Sequence, residues 1–155
     1  MRITDILRRE NCAGLLSSHG KQGVIKELCG LLESSGHTDG GTAALESVIG
    51  RENLGSTGVG DGVAIPHAKT SGVKSVVCAF GLSPEGVDFY AADGKPVKIF
   101  FLLLAPEEAV GDHLKALARI ARLVRRESFR NRMERNMGDA GAIYDIISEE
   151  DAALG

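Results

Sequence analysis

His67 is the residue through which this chain could do covalent chemistry. It closes a stretch, 55–69, in which Gly55, Gly58, Gly60 and Gly62 precede the run Val63-Ala64-Ile65-Pro66-His67. An imidazole, with an ordinary pKa of about 6.5, keeps a neutral, nucleophilic ring nitrogen near neutral pH and can attack phosphorus without a separate strong base. Its surroundings must then tolerate the incoming charge, and backbone N–H groups of a glycine-rich loop can supply that at little steric cost. Pro66 restricts the backbone just before the histidine and would aim the ring from the end of an extended segment. Two more residues suit the same chemistry. His113 follows Gly111-Asp112 at a helix start, where the helix dipole disfavours an extra proton and a neutral ring can donate one N–H to a phosphoryl oxygen. Arg51 carries a planar guanidinium that can grip two phosphoryl oxygens at once.

Each residue also has a plainer use. A histidine after proline can be structural, His113 can simply occupy a first helical turn, and Arg51 can pair with Glu52 or face solvent. The glycine stretch lacks GxxxxGK[ST], and 58–62 misses the GxGxxG spacing and its preceding strand, so neither a Walker loop nor a Rossmann turn is indicated. A metal site on His67 and His113 lacks an HExxH motif or a Cys/His cluster; a metal-dependent hydrolase would require stoichiometric metal. No metal or cofactor is expected. His19 and His37 lie in polar turn segments and read as surface residues.

The elements that must position these groups follow from periodicity. The first 18 residues are ambiguous, read as a short helix and then a strand near 13–17. Across 21–34, Val24, Ile25, Leu28, Leu31 and Leu32 share one face of a helix that Ser35-Gly36 ends. After a turn-rich connector, 37–41, Thr42 reads as the N-cap of a second helix with Leu45, Val48 and Ile49 inward, which brings Arg51-Glu52 to the glycine stretch. Residues 55–62 read as irregular and 63–66 as extended. The apolar runs in 73–83 and 97–104 read as strands covered on both faces. An amphipathic helix then carries Leu114, Leu117, Ala118, Ile120, Ala121 and Val124 inward, with Lys115, Arg119, Arg122, Arg125 and Arg126 outward. Helices over 129–137 and 140–147 follow, with 148–155 fraying. This is a layered α/β domain spanning 1–150, with a frayed tail at 151–155.

Composition narrows the function classes. In 155 residues, 18 Lys plus Arg oppose 21 Asp plus Glu, a net charge of −3, which argues against neutralising nucleic-acid phosphates as the main task. The segment 112–135 is locally basic, with eight Lys plus Arg against three Asp plus Glu; it reads as a solvated helix face, with an acidic partner as the alternative. The N-terminus contains no signal-peptide core. The longest unbroken apolar run, 99–105, is far short of the roughly 20 residues a membrane helix needs. Cys12, Cys29 and Cys78 form no CxxC and read as reduced, buried thiols. The expectation is a soluble, cytoplasmic chain with no direct membrane insertion.

Glu52, Val59-Gly60 and Val63-Ala64-Ile65-Pro66-His67-Ala68 together resemble the phosphorylation-site signature of the mannitol/fructose type of enzyme IIA in the bacterial phosphoenolpyruvate-dependent phosphotransferase system. Arg51-Glu52 is similar to that family's Arg-Glu pair, Ser56-Thr57-Gly58 to its Ser-Thr-Gly, and 113–119 to its second histidine and following helix. The resemblance implies a single α/β domain with a five-stranded mixed sheet flanked by helices. It implies that His67 accepts phosphate from HPr, or from the nitrogen-branch HPr-like carrier, and passes it to a IIB domain where one exists, with His113 and Arg51 assisting. A separate domain of this length looks more like the nitrogen-regulatory IIA, a partner-binding regulator of kinases or transporters. The alternative is a fructose/mannitol-specific IIA serving sugar uptake, and a further one is a regulator that no longer passes phosphate on.

Overall fold

A computed structural model describes residues 1–39 and 41–155; Gly40, in the turn-rich connector, lies outside the described residues. Two strands form the centre: β5 (Val77–Val87) and β6 (Val97–Ala105), paired antiparallel. Side chains of β6 alternate across the sheet. Ile99, Phe101 and Leu103 enter one apolar cluster, and Phe100, Leu102 and Leu104 enter the other. Both faces are therefore covered, which explains why this strand is a continuous apolar run.

One face is covered by α1 (Lys21–Ser34) and α2 (Ala43–Asn53). The other is covered by α3 (Val110–Val124), α4 (Glu127–Arg135) and α5 (Ala140–Ala153). Helix α1 buries Val24, Ile25, Leu28, Cys29 and Leu32, each large apolar side chain contributing about 1.5–3 kcal/mol of burial. It stops at Gly36, whose φ of 81° lets His37 N–H donate to the Leu32 carbonyl at 2.8 Å and Gly36 N–H to that of Glu33 at 3.0 Å, a Schellman end. All three cysteines are free and buried.

The sheet is mixed, with six strands. The order β1-β5-β6-β3-β2 contains β1 (Leu7–Ala13), β3 (Val63–Ala64) and β2 (Gly58–Gly60), and the short β4 (His67–Lys69) also pairs with β6. Strands β3 and β4 both run parallel to β6, so they form one strand interrupted at Ile65-Pro66.

Several local expectations are corrected. The N-terminal strand occupies Leu7–Ala13 instead of 13–17, preceded only by a 3-10 turn at Ile3–Asp5. As an edge strand with charged Arg8, Arg9 and Glu10 exposed and an irregular register against β5, it shows no clean alternation. Residues 55–62 are not wholly irregular, because β2 and β3 make an antiparallel hairpin. Asp61 and Gly62 sit at its tip with φ of 57° and 77°, the left-handed pair that a tight two-residue turn requires. Thr42 makes no side-chain cap bond. Its own backbone is near-helical, and its hydroxyl donates to the Glu46 carboxylate at 3.0 Å instead. The tail does not fray, since α5 continues to Ala153 and Asp151 is fully buried. Arg119 does not point into solvent: its Nε donates to Asp151 Oδ1 at 2.6 Å.

Candidate functional site

His67 opens β4, and its ring is fixed by main chain. The Nδ1 atom lies 2.7 Å from the carbonyl oxygen of Ile65. A carbonyl only accepts, so Nδ1 carries the hydrogen and Nε2 carries the free lone pair. That geometry depends on the strand break. Pro66 O accepts from Leu103 N–H at 2.9 Å and Ile65 N–H donates to Thr57 O at 3.0 Å, so the peptides on both sides are held while the Ile65 carbonyl turns to the ring.

His113 lies in the first turn of α3 and is 7 % exposed. Its ring centroid is 5.6 Å from that of His67, with the planes tilted by 50°. Burial is the chief cause that holds its pKa below the ordinary imidazole value, and the nearby charges of His67 and Lys69 act in the same direction. The ring is therefore neutral at neutral pH. Its Nδ1 is buried without a partner among the described residues. The structure thus brings both histidines together.

Arg51 shares with His67 a surface cavity of about 240 Å³ lined by Arg51, Ser56, Thr57, Gly58, His67 and Leu117, among others. It does not pair with Glu52. One guanidinium nitrogen donates to the Gly55 carbonyl at 2.9 Å, and among the described residues Arg51 has no carboxylate partner. With one nitrogen bonded to the Gly55 carbonyl, the planar guanidinium keeps further N–H donors at the cavity it lines.

The glycine stretch behaves differently from the cradle of free N–H groups expected of it. Gly55 N–H donates to the Glu52 carbonyl, Thr57 N–H to the Glu52 carboxylate and Gly58 N–H to the Ser56 hydroxyl. These amides are satisfied internally, because a loop this close to the core must pair its polar groups. The stretch shapes the wall of the cavity and leaves the charge to Arg51.

Glu52 is the residue whose part in the site spacing alone did not reveal. It is 5 % exposed, and its carboxylate accepts from Thr57 N–H at 2.9 Å, from Thr57 Oγ1 at 2.6 Å and from Lys21 Nζ at 2.9 Å. The Arg51-Glu52 doublet hints at it; Lys21, thirty-one positions earlier by sequence number, carries no local signal. Among the described residues no three His, Cys, Asp or Glu side chains cluster as metal ligands, and no helix is long and apolar enough to cross a membrane.

Residues 5–150 match the family described as the phosphoenolpyruvate-dependent sugar phosphotransferase system, EIIA 2. The chain belongs to this family. Among EIIA relatives, it is 39% identical over 152 residues to the fructose-specific EIIABC component of Bacillus subtilis; the match covers 97% of this chain but only 24% of that longer protein. It is 41% identical over 149 residues to the nitrogen regulatory protein of Bradyrhizobium diazoefficiens, covering 96% of this chain and 95% of that one. The crystal structure of the nitrogen regulatory protein IIA-Ntr of Neisseria meningitidis superposes with a TM-score of 0.84 at 36% identity, over 94% of this chain and 98% of that one. In this EIIA fold His67 stands beside His113 and shares a cavity with Arg51.

Proposed function

We propose that this EIIA is a phosphocarrier that takes a phosphoryl group on Nε2 of His67 from a phosphohistidine on HPr or its nitrogen-branch counterpart, working in the cytoplasm in nitrogen-type regulation. The observation that carries the reading is the 2.7 Å contact from Nδ1 to the Ile65 carbonyl, which leaves Nε2 as the nucleophile on a cavity shared with Arg51.

In the transfer, the Nε2 lone pair forms a bond to phosphorus as the donor's N–P bond breaks, and that electron pair returns to the donor ring. Nδ1–H stays bonded to Ile65 O throughout, so positive charge growing on the ring is stabilised without moving a proton. Arg51 holds the equatorial phosphoryl oxygens. His113, kept neutral by burial, offers an N–H without adding a like charge beside His67. Positioning and charge stabilisation dominate such a transfer. Reversal hands the group to the next acceptor.

The test is incubation with phosphoenolpyruvate, enzyme I and HPr. Wild type is expected to take up one acid-labile phosphate and His67→Ala none; no uptake by wild type, or equal uptake by the variant, refutes the proposal. His113→Ala is expected to slow uptake without changing the modified position. A second reading is favoured by the similarity to a fructose-specific EIIABC component: transfer onward to a IIB domain for sugar uptake. Release of phosphate to a purified IIB, compared with phosphorylation-dependent capture of a kinase or transporter, separates the two.

A further inference from the structure

A second, larger cavity of about 440 Å³ lies on the α1 side of the site, lined by Lys21, Gln22, Ile25, Ile49, Glu52, Asn53 and Tyr90. His67 does not line it, but it exposes the outer end of a bonded chain that reaches His67. Lys21 Nζ contacts the Glu52 carboxylate at 2.9 Å. Glu52 accepts both the N–H and the hydroxyl of Thr57. Thr57 O accepts from Ile65 N–H, and Ile65 O accepts from His67 Nδ1. Lys21 also stands over the rings of Phe89, at 5.0 Å, and Tyr90, at 5.4 Å, and the Phe89 carbonyl accepts from the Ser56 hydroxyl. Two routes therefore run from Lys21 to Ser56 and Thr57, which both line the His67 cavity.

A buried ion pair is a weak source of stability, because desolvating both charges consumes much of the attraction, and an apolar pair of similar volume often does as well. The side chains here are 19 % and 3 % exposed. What an apolar pair cannot do is hold a carboxylate in place to accept from Thr57 twice. We infer that Lys21 and Glu52 are positioning residues that set the orientation and tautomer of His67 through Thr57 and the Ile65 peptide. Neither touches the reacting atoms. Without Lys21, the Glu52 carboxylate is a buried charge short of one partner; it shifts, the Thr57 peptide loosens, and the Ile65 carbonyl loses its fixed direction. Nε2 is then protonated in a larger share of molecules and cannot attack.

The effect on phosphoryl transfer rests on the phosphocarrier reading above, but the tautomer does not, and the experiment separates them. Imidazole nitrogen NMR is measured on the full chain for wild type, Lys21→Gln, Lys21→Arg and Thr57→Val, with His67 signals assigned by their absence in His67→Ala. Wild type is expected to be mainly the Nδ1–H tautomer. The ratio of Nδ1–H to Nε2–H is expected to fall roughly tenfold in Lys21→Gln and in Thr57→Val, as loss of one net hydrogen bond implies, with uptake slowed alongside. Lys21→Arg, which keeps the charge on Glu52, is expected to recover most of both. Thr57→Val, close in shape to threonine, decides the matter if Lys21→Gln does not fold. A ratio within about twofold of wild type in the folded variants overturns the inference. Absence of phosphate uptake by wild type overturns the phosphocarrier reading instead, and the tautomer ratios still decide the positioning role.

Discussion

Replacing Asp151 with alanine tests how the two ends of the chain are joined. One carboxylate oxygen accepts from Ile3 N–H at 2.7 Å and the other from Arg119 Nε at 2.6 Å. The Asp151 side chain is 1 % exposed and that of Arg119 11 %. Removing one member of a buried pair leaves the other uncompensated, at a cost of about 3–5 kcal/mol. Arg119 would keep its bonds to the main-chain carbonyls of Asp151 and Gly155, which places the pair at the lower end, near ~3 kcal/mol. The orphaned Ile3 N–H adds about 1 kcal/mol. For a domain of this size each kcal/mol lowers Tm by about 2–4 °C, so the expected fall is roughly 8–16 °C. Scanning calorimetry measures it, and hydrogen exchange at the Ile3 amide should accelerate well beyond the global change. In Asp151→Ala/Arg119→Met the loss should shrink, because no charge is then left buried alone. A drop in stability below about 1 kcal/mol with an unchanged Ile3 amide would refute the reasoning. As a contrast, Glu149→Ala breaks an exposed pair with Arg132 and should change stability by less than about 1 kcal/mol.

Other expectations follow from the same structure. The folded-state pKa of His113 is lowered, so the unfolded chain binds that proton more tightly; the residue has no effect well above pH ~6.5 and lowers stability as pH falls through that value. Urea midpoints taken from pH 8 to 5.5 should therefore fall more steeply for wild type than for His113→Gln, and parallel curves would contradict the burial argument. Burial raises the thiols of Cys12 and Cys29 to about 12 and that of Cys78 well above its ordinary value; at pH 8 the native protein should leave all three unreacted with a thiol reagent, and urea should release three. A Cβ on Gly58 would lie 2.8 Å from Cβ of Ala91, so Gly58→Ala should cost about 1–3 kcal/mol. Ala91→Gly in the same chain should restore part of that, and a double variant no better than Gly58→Ala would point to the backbone instead.

The sequence made the candidate site more legible than the scaffold around it. His67, His113 and Arg51 stand out by residue type and by their neighbours, and the structure gathers them. The covered strands are visible because burial on both faces removes polar residues from 99–105 of β6. Strand β1 is harder to see, since its exposed Arg8, Arg9 and Glu10 and its broken register erase alternation. The hairpin at 58–64 was signalled by Asp61-Gly62, but four glycines masked it as loop. What no local pattern could supply is pairing across distance: Lys21 with Glu52, Arg119 with Asp151, and the helical order that the latter pair gives to a polar C-terminus.

The interruption between β3 and β4 has a genetic consequence. The group that fixes the ring nitrogens of His67 is a peptide carbonyl, present whatever side chain residue 65 bears. An alanine scan would pass over this contact, because Ile65→Ala removes apolar bulk and leaves the oxygen in place. Selection likewise cannot lose the contact through a change of side chain there unless the backbone path itself changes. The contact that sets the His67 tautomer is thus insulated from ordinary substitution, while Thr57, whose carbonyl accepts from Ile65 N–H, holds the same peptide segment from outside.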